Sequence, residues 1–181
     1  MLEAAAAIGA PAIRVFGNSI RPGENMRVVI QRIAENVAPL AENAADLGVQ
    51  ILFENAGSFA AAKQWWWVWN QLDHPMVGMA WNVATAAAAG EPSMVSVPML
   101  NSRIRLAKVA DTIVGRGVGF LQLGDGDVGI EKFVQRLLGV GYRGYISVQW
   151  DRLWLPALAP ADETLPEAAE RLKGWLQAAI E

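Results

Sequence analysis

The sequence contains no cysteine. A disulfide framework, a thiolate metal site and a cysteine nucleophile are thereby excluded, and the composition fits a reducing compartment. It also lacks any run of Lys and Arg interleaved with aromatics, and a net charge of −3 with a pI near 5.2 gives no electrostatic reason to bind a polyanion. Nucleic acid is not an expected partner. No apolar run approaches the roughly 20 residues needed to span a bilayer. The Ala-rich residues 1–10 carry Glu3 and no basic leader, and are too short for the apolar region of a signal peptide. The expectation is a soluble, cytoplasmic protein with no membrane partner.

What the chain does have is length and apolar content. At 181 residues, 53% hydrophobic and with a mean hydropathy of +0.22, it can bury a substantial core, and a single domain over residues 1–181 is expected. Residues 49–57, VQILFENAG, are the most informative stretch: a short apolar strand that ends on Glu54, followed by Asn55 and Gly57. A carboxylate at the end of a buried strand needs a compensating reason, and that reason is usually a site. Three more strand-like runs, 76–82, 104–111 and 144–151, carry Asn82, Lys108 and Gln149 near their C-terminal ends. In parallel α/β proteins the loops leaving those ends surround a common cavity, so four polar strand ends imply one pocket.

The rest of the chain alternates helix with strand. Residues 12–17 read as a first strand with Arg14 as its only charge, and Asn18 begins a loop that ends at Gly23. Val29, Ile33, Val37, Leu40, Ala44 and Leu47 mark a helix over 24–47, stopped by Gly48 and kinked or interrupted at Pro39. Ser58 is a candidate cap for a helix over 59–72 containing Trp65, Trp66, Trp67 and Trp69. One or two of these tryptophans are expected on the sheet and the others over a neighbouring element; an aromatic sugar-stacking platform is the sharper alternative. Asp73, His74 and Pro75 form a turn before a strand, which favours a structural role for His74, the only histidine.

A small-residue helix over 83–89 is followed by an irregular segment, 93–102, with a short helical turn. The glycine-rich loop 112–123 leads into LGDGDVGIEKF, where Asp127 can cap a helix with the stripe Ile130, Phe133, Val134, Leu137 and Leu138. The run Gly124-Asp125-Gly126-Asp127 reads as turn and cap rather than as a metal or phosphate loop. Pro166 opens a final helix with the stripe Leu172, Trp175, Leu176 and Ile180. Arg152 and Trp154 follow the last strand, where they line the pocket or pack the loop 152–164. This order implies a parallel sheet with right-handed crossovers.

GAPAIRVFG, GVQILFENAG, DHPMVGMAWN, IRLAKVAD, LGDGDVGIEKF and GYRGYISVQWD, in that order, resemble the xylose isomerase-like TIM barrels, a family of sugar phosphate isomerases and epimerases, hydroxypyruvate isomerase and family 2 apurinic endonucleases. The resemblance implies an α/β fold: a partial (β/α) TIM-type barrel of about five parallel strands, corresponding to strands four to eight. A complete barrel takes about 250 residues. The open edge of the first strand and the concave face then call for a homo-oligomer or a partner chain completing the barrel, or for a rearranged open sheet.

The family's sugar isomerases hold one divalent metal, such as Mn or Mg, with a Glu, an Asp, a His or Gln and a second Glu. By resemblance these positions fall on Glu54, Asn82, Lys108 and Gln149, so one carboxylate of three remains. A hard divalent ion wants several anionic oxygens, and an ammonium at Lys108 repels it. The expected site therefore has no metal cofactor, with the Lys108 ammonium in the metal's place beside Glu54. The resemblance makes Glu54, Lys108 and Gln149 the catalytic positions, and Asn82, Arg152 and Trp154 the candidate binders of a small sugar-like ligand. Since the two family glutamates relay a proton between sugar carbons, Gln149 breaks that relay. The leading expectation is a degenerate isomerase homologue acting as a binding or interaction protein. The alternative is an active isomerase or epimerase of a small sugar or hydroxy-carbonyl compound. A Schiff base at Lys108 is a minor third reading, and endonuclease chemistry is out of reach of a chain with one histidine.

Overall fold

A computed structural model describes residues 1–17, 19–116 and 119–179. Asn18 of the first loop, Gly117 and Val118 of the glycine-rich loop, and Ile180 of the last stripe lie outside the described residues. Five strands, β1 (Ala12–Phe16), β2 (Gln50–Glu54), β3 (Val77–Asn82), β4 (Ile104–Val109) and β5 (Tyr145–Val148), form one sheet in the order β1-β2-β3-β4-β5. All four pairings are parallel, so each strand lies beside its successor in sequence, as in a (β/α) barrel and unlike a doubly wound sheet.

Side chains alternate across this sheet with the strand period of two. Ile51, Phe53, Val77, Met79, Trp81, Ala107 and Val109 enter one apolar core with the helices. The register pairs Arg14 with Leu52, Glu54 with Ala80, Asn82 with Lys108 and Lys108 with Ser147, which puts these residues on the opposite face. Every polar strand end singled out by sequence is thus on the face away from the helix core.

Helix α1 (Leu2–Ala7) precedes β1, and α2 (Met26–Leu47) follows it. Asn25 caps α2 by accepting from Arg27 N at 2.9 Å, and Gly48 ends it in the left-handed conformation, φ 66°. Pro39 does not interrupt α2. It stands on the solvent side of the helix, and Glu35, one turn earlier, is exposed as well. The buried stripe also differs from the expected one: Val29, Val37 and Ala44 face inward, but Ile30, Ala34 and Ala41 join them, while Leu40 is exposed. Alanines let the helix lie close on the sheet, and that packing selects the face over the larger side chains.

Helix α3 (Ala62–Trp69) is shorter than the sequence suggests, with a 3-10 turn at Gly57–Phe59 before it. Ser58 does not cap α3; its hydroxyl accepts from Ile20 N at 3.0 Å. The α3 N-terminus is met from across the fold by Glu91, whose Oε1 accepts from Ala62 N at 2.8 Å. Burial pushes the Glu91 carboxyl above its usual pKa, with the Ala62 N–H pulling the other way. Trp65 and Trp69 are buried, their rings 5.8 Å apart and Trp65 5.0 Å from Phe53, whereas Trp66 is exposed. Two tryptophans therefore build the core, as the packing alternative expected.

Helix α4 (Val83–Ala88) follows β3 directly, and α5 (Ser93–Leu100) occupies the segment expected to be irregular. The α5 pattern is inverted, since Ser93 and Ser96 share the buried face with Val97 and Leu100 while Met94, Val95 and Met99 are exposed. A polar-in, apolar-out helix defeats a reading by hydrophobic period.

In α6 (Ile130–Gly139) the expected stripe of Ile130, Phe133, Val134 and Leu137 is buried. Its N-cap is Gly129 rather than Asp127, whose carboxylate accepts from Val114 N at 2.7 Å and ties down the preceding loop. Helix α7 (Ala161–Ala178) begins before Pro166, because Asp162 and Glu163 supply the acidic first turn directly after Pro160. The Tyr142 hydroxyl accepts from Ala107 N within β4 at 3.0 Å and donates to the Tyr145 carbonyl at the start of β5 at 2.6 Å; burial raises its pKa. Among the described residues, no helix is long and apolar enough to cross a membrane.

Candidate functional site

Glu54, Asn82, Lys108 and Gln149 meet at the C-terminal ends of the strands. Glu54 closes β2 and is 5% exposed; Lys108, on β4, is 7% exposed. Lys108 Nζ donates to Glu54 Oε1 at 2.6 Å. Asn82 Nδ2 donates to Gln149 Oε1 at 3.0 Å and, more weakly, to Glu54 Oε1 at 3.4 Å. Gln149 lies just past β5, where its N–H still bonds the Val109 carbonyl at 2.8 Å, and its Nε2 donates to Asp151 Oδ2 at 2.7 Å. The chain of partners runs from Asp151 through Gln149 and Asn82 to Glu54 and Lys108.

Asn82 is also the N-cap of α4, its Oδ1 accepting from Ala84 N at 3.1 Å and Thr85 N at 3.3 Å. Both sides of its amide are thereby committed, and its orientation is fixed by the helix behind it. Asn55 fixes the position of the same residue: its Oδ1 accepts from Asn82 N at 2.7 Å, and its Nδ2 donates to Asn82 O and Ala60 O, each at 3.0 Å. Two strand ends are locked together by one buried amide.

Sequence reasoning missed three participants. Arg14 Nη1 lies 3.0 Å from Glu54 Oε2, with its side chain 50% exposed. A lone charge inside an otherwise apolar strand was the available signal. Asn55 directly follows the key carboxylate, and Asp151 ends the last strand-like run. Arg152 donates to the Leu158 carbonyl of its own loop, and Trp154 is 77% exposed; neither makes a hydrogen bond or ion pair with the cluster. His74 accepts from Met76 N at 3.2 Å through Nδ1, holding the turn before β3 at the far end of the strand.

Divalent ions of the hard type need several convergent oxygen donors. Here Glu54 Oε1 is taken by Lys108, Oε2 faces Arg14, Asn82 Oδ1 caps a helix and Gln149 Oε1 accepts from Asn82. No group of three or more His, Asp or Glu among the described residues is placed to hold an ion. The donor set does not fit a divalent metal.

A sequence profile described as xylose isomerase-like TIM barrel matches residues 1–177. The chain belongs to the xylose isomerase-like TIM barrel family. Solved structures of the same fold include a D-tagatose 3-epimerase-like protein, with 18% identity and a TM-score of 0.78 over 98% of this chain and 66% of that one. The D-allulose 3-epimerase from Methylomonas sp., solved with D-allulose, has 18% identity and a TM-score of 0.76 over 96% of this chain and 65% of its own. The IOLI protein, solved with a zinc atom, has 16% identity and a TM-score of 0.83, with 99% and 67% covered. This chain therefore spans about two thirds of the length of these structures. No curated protein matches it by sequence.

Proposed function

We propose that this chain is a sugar isomerase or epimerase homologue whose strand-end site works without a metal ion, serving to bind a small polar ligand or a partner rather than to isomerise a sugar. The observation that carries this reading is the contact of 2.6 Å between Lys108 Nζ and Glu54 Oε1 in a setting where both groups are almost fully buried. An ammonium at that position satisfies the carboxylate that a metal would otherwise need. It also places a fixed cation where an incoming divalent ion would be repelled.

Proton transfer between sugar carbons needs a base free to accept the proton. Glu54 is held by two cations, and position 149 carries an amide. We expect no exchange of substrate protons: ketohexoses incubated with the protein and Mn²⁺ in D₂O should gain no deuterium above a protein-free control. Enzyme-dependent deuterium at C3 would contradict the proposal.

As to partners, β1 and β5 are each paired on one side only among the described residues. Unpaired strand edges favour association, so we propose that the 181-residue chain covers them with a second copy or a partner chain. A monomer by light scattering at all concentrations would argue against the second copy.

A further inference from the structure

Glu54 has one oxygen without a hydrogen bond. Its Oε1 is well served, but Oε2 is fully buried and makes no hydrogen bond, although Arg14 Nη1 stands 3.0 Å away out of line. Buried polar atoms in native proteins almost always have an aligned partner, and each exception calls for an explanation. The group beside Oε2 reaches it from the rim: Arg14 sits on the edge strand β1, its side chain half exposed and its guanidinium 4.9 Å from the centre of the exposed Phe16 ring. Lys108 spends one of its three N–H donors on Glu54. Two cations thus flank one carboxylate, and the next acid, Asp151, is engaged by Gln149.

Excess positive charge beside an acceptor lacking a donor describes a ligand with both an anionic oxygen and an adjacent hydroxyl. We propose that the cluster binds a small 2-hydroxy carboxylate. The ligand's carboxylate accepts from Arg14 and Lys108, and its hydroxyl donates to Glu54 Oε2 as the Arg14 guanidinium moves off that oxygen. Charge-assisted bonds of this kind are the strong ones, and the guanidinium fork matches a carboxylate. No covalent bond forms or breaks. The inference rests on the metal-free reading of the same site.

The test is calorimetric titration of the chelator-treated protein with D- and L-glycerate, glycerol and propionate. Glycerate should bind; glycerol, lacking the carboxylate, and propionate, lacking the hydroxyl, should bind at least about tenfold more weakly, the effect of losing one charged hydrogen bond. Arg14→Gln should weaken glycerate on the order of ten- to a hundredfold, with Arg14→Lys recovering part of the loss. Equal binding of glycerol, indifference to Arg14→Gln, or no binding by glycerate would overturn the proposal. Repeating the titration with Mn²⁺ separates the two readings. Glycerate binding that requires stoichiometric Mn²⁺ contradicts both, whereas no binding in either condition overturns the ligand proposal and leaves the metal-free site standing.

Discussion

Glu54→Ala is expected to destabilise the fold by about 3–5 kcal/mol, the range for stripping one partner from a buried ion pair. The variant leaves the Lys108 ammonium, 7% exposed, without its carboxylate. For a domain of this size that corresponds to a fall in Tm on the order of 6–20 °C. Lys108→Met should fall toward the lower end of the same range, because Glu54 would retain Arg14 at 3.0 Å and Asn82 at 3.4 Å. Arg14→Gln, acting at a half-exposed side chain, should change stability by no more than about 1 kcal/mol. Replacing both buried partners, as in Glu54→Leu with Lys108→Met, should recover most of the loss, since apolar groups of similar volume need no solvation. Urea denaturation of the four variants measures this order. Single variants indistinguishable from the parent would mean that the pair does not hold the strand ends.

The second large effect is expected at Asp111, which is 1% exposed just beyond β4. Its Oδ2 accepts from Gly124 N at 2.7 Å and Gly126 N at 3.1 Å, and its Oδ1 from Thr112 N at 3.0 Å. One carboxylate thus holds the returning end of the loop against the strand end. Asp111→Ala should cost about 3 kcal/mol, since it leaves several loop N–H groups without an acceptor. Gly126→Ala should be comparably damaging, because its Cβ would lie 2.2 Å from Asp111 Oδ1 and 2.4 Å from the Thr112 carbonyl. Both act by detaching the loop, so the double variant should be little worse than either single one. Limited proteolysis should then cleave within residues 119–126 faster in the variants than in the parent. Variants as stable and as resistant as the parent would show that the loop is held by other contacts.

The strand ends were legible in the sequence because a buried strand tolerates a polar residue only where something meets it. Glu54, Asn82, Lys108 and Gln149 each broke an apolar run near its end, and the parallel order brought them together. What sequence could not supply was direction. The amide of Asn82 donates toward Glu54 and Gln149 because its oxygen is committed to α4, a commitment visible only once the helix is seen to start at that residue. Arg14 stands out in the sequence as a lone charge, but a cation's partner on a neighbouring strand follows from register rather than from spacing.

The helices show the same division. The α6 stripe was plain because its buried residues are large and its other face is charged. The α5 segment was missed because its serines point inward. The start of α7 was misplaced because Pro160 and Pro166 compete as signals, and the acidic turn after the first decides between them. The Asp127 cap failed for a related reason: a capping side chain can serve a loop N–H equally well, and here Val114 N claims it.

Whether the Lys108 ammonium holds Glu54 in place of a divalent ion is decided by calorimetric titration of chelator-treated protein with Mn²⁺, Mg²⁺ and Zn²⁺ at neutral pH. The structure predicts no saturable one-to-one binding in the micromolar range. One equivalent of metal bound there, and lost in Glu54→Ala, would contradict it.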